Sequence, residues 1–318
     1  MSPILVTGGA GYIGSHVCKS LREKGYLPVT YDNLSIGHPW AVKWGPLIQG
    51  DLHDKVTLEK AFREWNLAGV IHLAALSNVR ESQKHPLLYY QNNIAGTLSL
   101  LEMVLKFEIR KFVFSSTCAV YGMPNQIPIS EDHEKVPINV YGETKLTIEK
   151  TLANLPLDVA VLRYFNAAGA DPEGDIGESH NPETHLIPSL IQSILNKKID
   201  FTLYGNDHQT PDKTPIRDYI HVTDLARAHV LALEYLEHKK KNLTLNLGTG
   251  VGCSVMEVIE TLESQFSCKI PVKIGLKIPE DPPVLLAKSD QAFHILNWKP
   301  HLSDLPTILD TAWKWLSR

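Results

Sequence analysis

Tyr141 and Lys145 stand four positions apart in the stretch 140–153, whose pattern predicts a helix. Side chains at positions i and i+4 of a helix lie on the same side. A phenol has a reference pKa of about 10, too high for a good base at neutral pH, but nearby positive charge favours its phenolate. The pair could therefore take a proton from an alcohol.

A second group of hydroxyls precedes this pair. Ser115, Ser116 and Thr117 close a predicted strand, and a hydroxyl there can hydrogen-bond a reacting alcohol and stabilise its proton. Taken separately, Tyr141 could be an ordinary core tyrosine and Thr117 an ordinary strand-end residue. Their order along the chain after a glycine-rich turn makes the combination specific.

That turn consists of Gly8, Gly11 and Gly14, in the spacing GxxGxxG, between a predicted strand and a predicted helix. The first glycine permits a tight turn, the second lets a pyrophosphate approach, and the third lets the helix pack close to the sheet. Asp32 ends the second predicted strand, where a carboxylate accepts hydrogen bonds from ribose hydroxyls and repels a 2′-phosphate. The turn therefore predicts a bound adenine dinucleotide, NAD rather than NADP.

Strands and helices alternate along the first half of the chain. Strands are predicted at 4–7, 28–31, 46–49, 69–73, 111–115 and 159–163, and helices at 12–24, 55–65, 86–107 and 140–153. This alternation predicts an α/β fold, a doubly wound parallel Rossmann sheet covered on both faces. We expect residues 1–166 to form the dinucleotide domain, which also receives part of 216–242. Residues 167–318 would form a smaller mixed α/β substrate domain, with ligands in the crevice between them.

Composition excludes several classes of protein. The chain has 318 residues and a net charge of −4, which leaves no general basic face for nucleic acid. No apolar stretch approaches the about 20 residues that cross a bilayer, so we expect no membrane partner. Four scattered cysteines without a CxxC pair predict no disulfide framework and no metal site. Because the first residues run straight into a strand without a signal peptide, we expect a cytoplasmic protein.

The sequence resembles the extended short-chain dehydrogenase/reductase superfamily and, within it, the family of UDP-glucose 4-epimerases. The resemblance covers essentially the whole chain. The motifs that carry it are VTGGAGYIGSH at 6–16, DNL at 32–34, GDL at 50–52, HLAA at 72–75, ES at 81–82, YYQNN at 89–93, VYG at 120–122, YGETK at 141–145, LRYFNAAGA at 162–170, HLIP at 185–188, RDYIHV at 217–222 and NLG at 246–248.

The resemblance implies a role for each matching residue. Thr117, Tyr141 and Lys145 would be catalytic. The NAD site would be formed by Gly8, Gly11, Tyr12, Ile13, Gly14, Asp32, Asn33, Asp51, Leu52, Leu73, Ala74, Asn92, Ser115, Tyr141, Lys145, Tyr164 and Phe165. The UDP-sugar would contact Thr117, Asn166, His185, Leu186, Tyr204, Arg217, Asp281 and Leu285. A homodimer is implied through the helices near 86–107 and 140–153.

The implied reaction inverts C4 of a UDP-sugar. Because that C–H bond is not acidic, the sugar is oxidised to a 4-keto intermediate, turns about its diphosphate and is reduced on the other face. NAD ends each turnover unchanged.

Three positions depart from the epimerase pattern. The run 277–281 has Ile278 where the family usually has a second arginine for the diphosphate, and Lys277 lacks an arginine's fork. Leu285 occupies the place of a gatekeeper that is a large aromatic in enzymes restricted to glucose and galactose, and a small residue in those that admit N-acetyl sugars. Lys213 stands where glycine is common. UDP-glucose/UDP-galactose is the first expectation, with UDP-N-acetylhexosamines and UDP-pentoses as alternatives.

Three other functions compete with epimerisation. A nucleotide-sugar 4,6-dehydratase places an acid pair after the active-site threonine, whereas Cys118 and Ala119 follow Thr117 here. A dehydrogenase or reductase would release NADH. A non-catalytic redox-sensing protein would tend to lose the Tyr/Lys pair, which this chain retains.

Overall fold

The computed structural model describes residues 1–196, 201–278 and 281–318. Its strands are β1 (Pro3–Thr7), β2 (Leu27–Asp32), β3 (Leu47–Gln49), β4 (Gly69–His72), β5 (Lys111–Thr117), β6 (Asp158–Tyr164), β7 (Asn166–Ala168), β8 (Phe201–Tyr204), β9 (Ile216–His221), β10 (Leu243–Leu247), β11 (Gly252–Ser254), β12 (Val272–Gly275) and β13 (Val284–Leu285). Its α-helices are α1 (Tyr12–Glu23), α2 (Lys55–Glu64), α3 (Val79–Lys84), α4 (Pro86–Tyr89), α5 (Gly96–Lys106), α6 (Val140–Leu152), α7 (Leu186–Asn196), α8 (Val222–Lys239), α9 (Val255–Phe266), α10 (Asp290–Leu296) and α11 (Leu305–Leu316).

β1 lies within a seven-stranded sheet of order β10-β6-β5-β4-β1-β2-β3, and every pairing in it is parallel. Ile4, Leu5 and Val6 of β1 are fully buried. Such continuous apolar strands require a cover on both faces of the sheet.

Helices supply that cover. On one face, Val17 and Leu21 of α1 share a core with Leu225 of α8. On the other, Leu58 of α2 and Ile148 of α6 share a second core with α5. The strand order reverses direction between β1 and β4, and ligands bind at the carboxyl ends of the strands at such a switch point. The predicted fold class is confirmed.

A smaller group of elements lies beside this sheet. β9 pairs with β7, β11 and β13, and β8 pairs with β12. Helices α7, α9 and α11 enclose a third core with these strands. The chain then returns to the large sheet, since α8 belongs to the first core and β10 is the edge strand next to β6. The segment that returns to the large sheet therefore runs from α8 to β10 and overlaps the predicted 216–242.

The predicted helix 86–107 differs from the structure in its middle. α4 continues into a π-helical segment (Tyr90–Ala95) before α5 begins. The sequence also failed to predict α3, α10, β7, β9, β11, β12 and β13, most of which are too short to show a clear period.

Two further features bear on the environment of the chain. Within the described ranges, no helix combines the length and apolar character needed to cross a bilayer. All four cysteines are unpaired.

Candidate functional site

A cavity of about 1260 Å³ opens at the carboxyl ends of the large sheet, between it and the smaller group of elements. Every predicted site residue lines this cavity except Ser115. The cavity therefore joins the predicted dinucleotide, catalytic and substrate residues in one continuous space.

The glycine turn has a different steric requirement at each position. Gly8 has φ +72°, and a Cβ there would lie 2.7 Å from the Ala74 amide nitrogen. A Cβ on Gly14 would overlap the carbonyl oxygen of Gly8, so glycine lets α1 begin against β1. A Cβ on Gly11 would meet only the Gly8 oxygen, at 3.3 Å, and Gly11 lines the cavity. Since α1 has no side-chain cap, its first amides are available to a pyrophosphate.

Asp32 ends β2 at the cavity wall. Its Oδ2 accepts a hydrogen bond from the Ala10 N–H at 3.0 Å, and its Oδ1 accepts one from the Leu34 N–H at 2.8 Å. These bonds orient the carboxylate and leave lone pairs for ribose hydroxyls. Burial raises the pKa of Asp32, against the opposing effect of the two amides.

The π-helical segment carries Asn92 to the cavity. Its buried neighbour Asn93 donates from Nδ2 to the Leu76 carbonyl at 3.0 Å and to the Thr144 hydroxyl at 3.1 Å. Asn93 also accepts from the Leu76 N–H at 2.8 Å. It thereby ties the loop after β4 to the helix of Tyr141. The sequence did not single out Asn93, because the motif at 89–93 does not say which asparagine points inward.

Tyr141 and Lys145 project from α6 into the cavity, opposite Thr117 at the end of β5. Lys145 Nζ lies 6.0 Å from the centroid of the Tyr141 ring. Burial lowers the pKa of Lys145 to about 7, against the opposing charge of Glu149. Burial also raises the pKa of Tyr141 well above 10, and a hydrogen bond with Thr117 only partly opposes this rise. The phenol therefore needs a further positive charge to become a phenolate.

Ser115 is the one predicted site residue outside the cavity wall. Its hydroxyl donates to the Tyr164 phenol oxygen at 3.0 Å and lies 3.2 Å from His229 Nε2. Ser115 and Thr117 point to the same side of β5, one pleat repeat apart, so Tyr164 and His229 cover Ser115 while Thr117 is exposed to the cavity. The Ser115 carbonyl accepts a hydrogen bond from Lys145 Nζ, and the role of Ser115 at the cofactor stays a prediction.

A buried ion pair between Arg163 of β6 and Glu149 of α6, which the sequence did not single out, anchors α6 to the sheet. Arg163 Nη2 lies 2.5 Å from Glu149 Oε2, and Arg163 Nε donates to Glu149 Oε1 at 3.0 Å. Ser116 donates to the same carboxylate at 2.5 Å. The pair connects β5, β6 and α6, and so fixes the helix that carries Tyr141.

Arg217 lies in the wall at the other end of the cavity. Its Nη2 lies 2.7 Å from Asp281 Oδ1, with only 12% of the arginine side chain exposed. It is thus an ion-paired residue of the cavity wall rather than of the outer surface. Leu285 of β13 pairs with Arg217 of β9, which places the gatekeeper position beside it.

The residues that depart from the epimerase pattern differ in whether they line the cavity. Ile278 lines the cavity, whereas Lys277 does not and lies 3.6 Å from Asp207, so Lys277 does not replace the missing arginine. Pro279 and Glu280 of the same run lie outside the described residues. Lys213 has φ +65°, the left-handed conformation that glycine adopts most easily.

Two wall residues make contacts that the sequence did not predict. The guanidinium carbon of Arg80, which the sequence did not single out, lies 4.3 Å from the centroid of the Tyr204 ring. His185 hydrogen-bonds Glu178 through Nδ1, so its imidazole belongs to a side-chain cluster as well as to the cavity wall.

The fold and this cavity define a Rossmann-type enzyme with a dinucleotide turn beside a tyrosine–lysine pair. Residues 4–248 match the family described as NAD dependent epimerase/dehydratase. A UDP-glucose 4-epimerase of Rhizobium leguminosarum bv. trifolii is 47% identical over 98% of this chain and 96% of its own length. The chain belongs to the NAD-dependent epimerase/dehydratase family, and the predicted family is confirmed.

Solved structures agree with this assignment. The UDP-glucose 4-epimerase of Brucella ovis in complex with NAD has a TM-score of 0.96 and 45% identity, over 99% of this chain and 98% of its own. The UDP-glucose 4-epimerase of Stenotrophomonas maltophila with bound NAD and formylated UDP-arabinopyranose has a TM-score of 0.95 and 36% identity, over 100% of this chain and 98% of its own.

Proposed function

We propose that this chain is an NAD-dependent UDP-glucose 4-epimerase that interconverts UDP-glucose and UDP-galactose. The observation that carries the proposal is one cavity lined by the glycine turn, by Tyr141 with Lys145 and Thr117, and by Arg217. A cofactor site, an alcohol-oxidising site and a site for a diphosphate are thus continuous. Relatives at 47% identity over nearly the whole chain bear the same name.

The cofactor is NAD, and the residues present fit it. The open space at Gly11 accommodates phosphate oxygens close to the backbone. Asp32 presents an oriented carboxylate for ribose hydroxyls. When bound, NAD supplies a hydride acceptor and donor, and its oxidised ring adds the positive charge that the Tyr141 phenol needs.

The residues of this chain handle the proton of the 4-hydroxyl. Tyr141 takes this proton when C4 is oxidised and returns it when C4 is reduced. Thr117 hydrogen-bonds the same oxygen. Lys145 donates to the Ser115 carbonyl, which holds its Nζ 6.0 Å from the centroid of the Tyr141 ring.

The diphosphate is held by Arg217, whose guanidinium can donate several hydrogen bonds to phosphate oxygens. Asp281 orients that guanidinium at 2.7 Å. Inversion requires the nucleotide end to be held firmly and the hexose to turn. The side chain of Ile278 in the wall has no hydrogen-bond donor for a phosphate, so we expect the diphosphate to depend strongly on Arg217.

A wider choice of sugar is the second candidate function. Leu285 is neither a large aromatic nor a small residue, and it lies half-buried beside Arg217. The Stenotrophomonas relative holds a UDP-pentose derivative. UDP-N-acetylhexosamines and UDP-pentoses are therefore the alternatives to test.

The deciding experiment incubates the purified enzyme with a panel of UDP-sugars and resolves the C4 epimers by NMR. We expect UDP-galactose and UDP-glucose to interconvert without net NADH absorbance. Net NADH formation would instead indicate a dehydrogenase. Conversion of only the N-acetyl or pentose sugars would move the substrate to those classes.

We also propose a cytoplasmic homodimer. Leu98 and Leu105 of α5 are seven positions apart on one face and are 41% and 38% exposed, which suits a helix that packs against a second copy. The unpaired cysteines suit a reducing compartment. Light scattering after size exclusion tests the dimer, and Leu98→Glu should shift it towards monomer.

A further inference from the structure

Four side chains from one loop converge in the wall of the cavity. Glu178, His180, Glu183 and His185 lie between β7 and α7, and one potential ligand atom of each lies within 4.8 Å of all the others. His180 Nδ1 lies 3.1 Å from Glu178 Oε1 and 3.8 Å from Glu183 Oε1. His185 Nδ1 lies 3.8 Å from Glu183 Oε1 and hydrogen-bonds Glu178. The spacing E-x-H-x-x-E-x-H matches no common metal motif, so the sequence predicted no metal here.

The two carboxylates are deeply buried. The side chains of Glu178 and Glu183 are each 4% exposed. Glu183 Oε1 accepts from the N–H groups of Thr184 and His185 at 2.7 and 2.9 Å. Its Oε2 is buried without a hydrogen-bond partner among the described residues. A buried, unpartnered carboxylate oxygen is costly unless a cation binds it.

The donor set defines the chemistry of that cation. Two imidazoles and two carboxylates suit Zn²⁺, which binds such nitrogens and oxygens at about 2.0–2.2 Å with four ligands. Ca²⁺ and Mg²⁺ prefer all-oxygen ligands, whereas imidazole favours later divalent metals. Two carboxylates also balance one divalent charge. We infer that Glu178, His180, Glu183 and His185 form a structural site for one Zn²⁺ ion.

The surroundings give this ion a structural role. Trp315 Nε1 donates to the Glu178 carbonyl at 2.8 Å, and His38 Nε2 lies 2.9 Å from the Ser179 carbonyl. These contacts hold the backbone of the loop from outside. The ion would link the four side chains within the loop and so hold the part of the cavity wall that continues into Leu186. Four protein ligands leave no open position, so the ion takes no part in turnover.

A second acidic cluster in the same loop provides the contrast. Asp171, Glu173 and Asp175 also converge, but Lys19 Nζ lies among them at 2.8, 2.7 and 3.4 Å. That ammonium occupies the centre of the cluster and Lys43 Nζ lies 3.7 Å from Asp175, so we assign no metal to it. Glu173, whose side chain is 75% exposed, is therefore a matched control position.

The test measures metal directly on the full chain. The wild-type protein is treated with chelator and titrated with Co²⁺, a probe whose visible absorption reports tetrahedral coordination, and then with Zn²⁺ in competition. We expect saturation near one Co²⁺ per chain, displacement by Zn²⁺, and a rise in Tm on adding Zn²⁺ because only the folded state holds the site. Glu173→Gln should behave as wild type, and His180→Ala with Glu183→Gln should lose the Co²⁺ spectrum.

Absence of a tetrahedral Co²⁺ spectrum in the wild type would overturn the inference and leave two histidine–glutamate ion pairs in its place. Retention of that spectrum in the double variant would overturn it as well. If the double variant does not fold, the wild-type titration and the Glu173→Gln control still decide the question. Metal binding can fail while epimerase activity persists, so this result is separate from that of the proposed function.

Discussion

Lys145 donates a hydrogen bond from Nζ to the carbonyl oxygen of Ser115 at 2.8 Å. This bond links α6, which carries Tyr141, to β5, which carries Thr117. It also places the lysine nitrogen 4.9 Å from the centroid of the Phe114 ring. The relative position of the phenol and the threonine hydroxyl is therefore fixed by a buried contact between helix and sheet.

Tyr141→Phe tests the role of the phenol. It removes one oxygen and leaves the ring that fills the site, so we expect kcat to fall about 10²–10⁴-fold, the usual contribution of a positioned acid or base. NAD should remain bound, since the glycine turn and Asp32 are unchanged. The measurements are UDP-galactose turnover and the NAD released from denatured protein.

Tyr26→Phe is the matched control, because Tyr26 hydrogen-bonds Glu237 at 2.8 Å and does not line the cavity. Full activity in Tyr141→Phe would remove the tyrosine from the mechanism. Loss of NAD together with activity would instead give it a cofactor-binding role.

Two single-methyl changes in the glycine turn should affect different properties, one the stability of the fold and the other the binding of NAD. Gly14→Ala introduces a Cβ that overlaps the Gly8 carbonyl, so it should destabilise the fold by about 1–3 kcal/mol through overpacking. Gly11→Ala has only the Gly8 oxygen nearby, at 3.3 Å, so it should fold with nearly unchanged Tm. Its methyl group enters the cavity and should weaken NAD binding.

Thermal melting and NAD titration of the two variants separate these effects. Equal loss of stability in both variants would mean that the space at Gly11 is not reserved for a ligand. Unchanged NAD affinity in Gly11→Ala would place the pyrophosphate elsewhere.

Asp32→Asn tests the preference for NAD over NADP. The amide keeps an acceptor but removes the charge, so repulsion of a 2′-phosphate should fall while the hydrogen bonds to ribose weaken. Bonds to a charged group contribute about 1.5–3 kcal/mol, so we expect at least a tenfold rise in the Kd for NAD⁺ and measurable binding of NADP⁺. Asp132→Asn, at an exposed position outside the cavity, should change neither. An unaltered ratio of the two affinities would contradict the role of Asp32.

The glycine turn and the doubly wound parallel sheet could be predicted because their signals are contiguous in sequence. Gly8 to Gly14 form one motif, and the apolar strands from β1 to β6 alternate with helices at regular intervals. Contacts between distant segments left no such signal. The Arg163–Glu149 pair joins residues 14 positions apart through tertiary packing, so no local pattern predicts it.

Other features that the sequence could not show have physical causes of the same kind. The strand motif around Thr117 could not show that Tyr164 and His229 cover Ser115, because that cover comes from β6 and α8. The π-helical turn at Tyr90–Ala95 follows an ordinary helical pattern. The four residues of the proposed Zn²⁺ site are close in sequence, but their convergence depends on the conformation of the loop, which no sequence pattern shows.

Buried neutral histidines should make the fold sensitive to acid. Burial lowers the pKa of His72 to about 3 and that of His16, His221 and His229 to about 4. Because these values lie below the unfolded value of about 6.5, the unfolded chain binds more protons as pH falls. The stability they contribute is complete above pH 6.5 and is lost as pH decreases towards these folded values.

The slope of this loss can be measured. Each fully shifted histidine removes about 1.4 kcal/mol of unfolding free energy per pH unit, and between pH 6.5 and about 5 most carboxylates stay ionised. Urea unfolding across this window should show the decline in the wild type. His72 hydrogen-bonds Thr7 at 2.6 Å and Thr97 at 2.8 Å, and His72→Gln should reduce the slope by the amount for one histidine. His294→Gln, at an exposed position, should leave the slope unchanged. A flat wild-type profile over this range would show that the buried histidines bind protons as readily in the folded protein as in the unfolded chain.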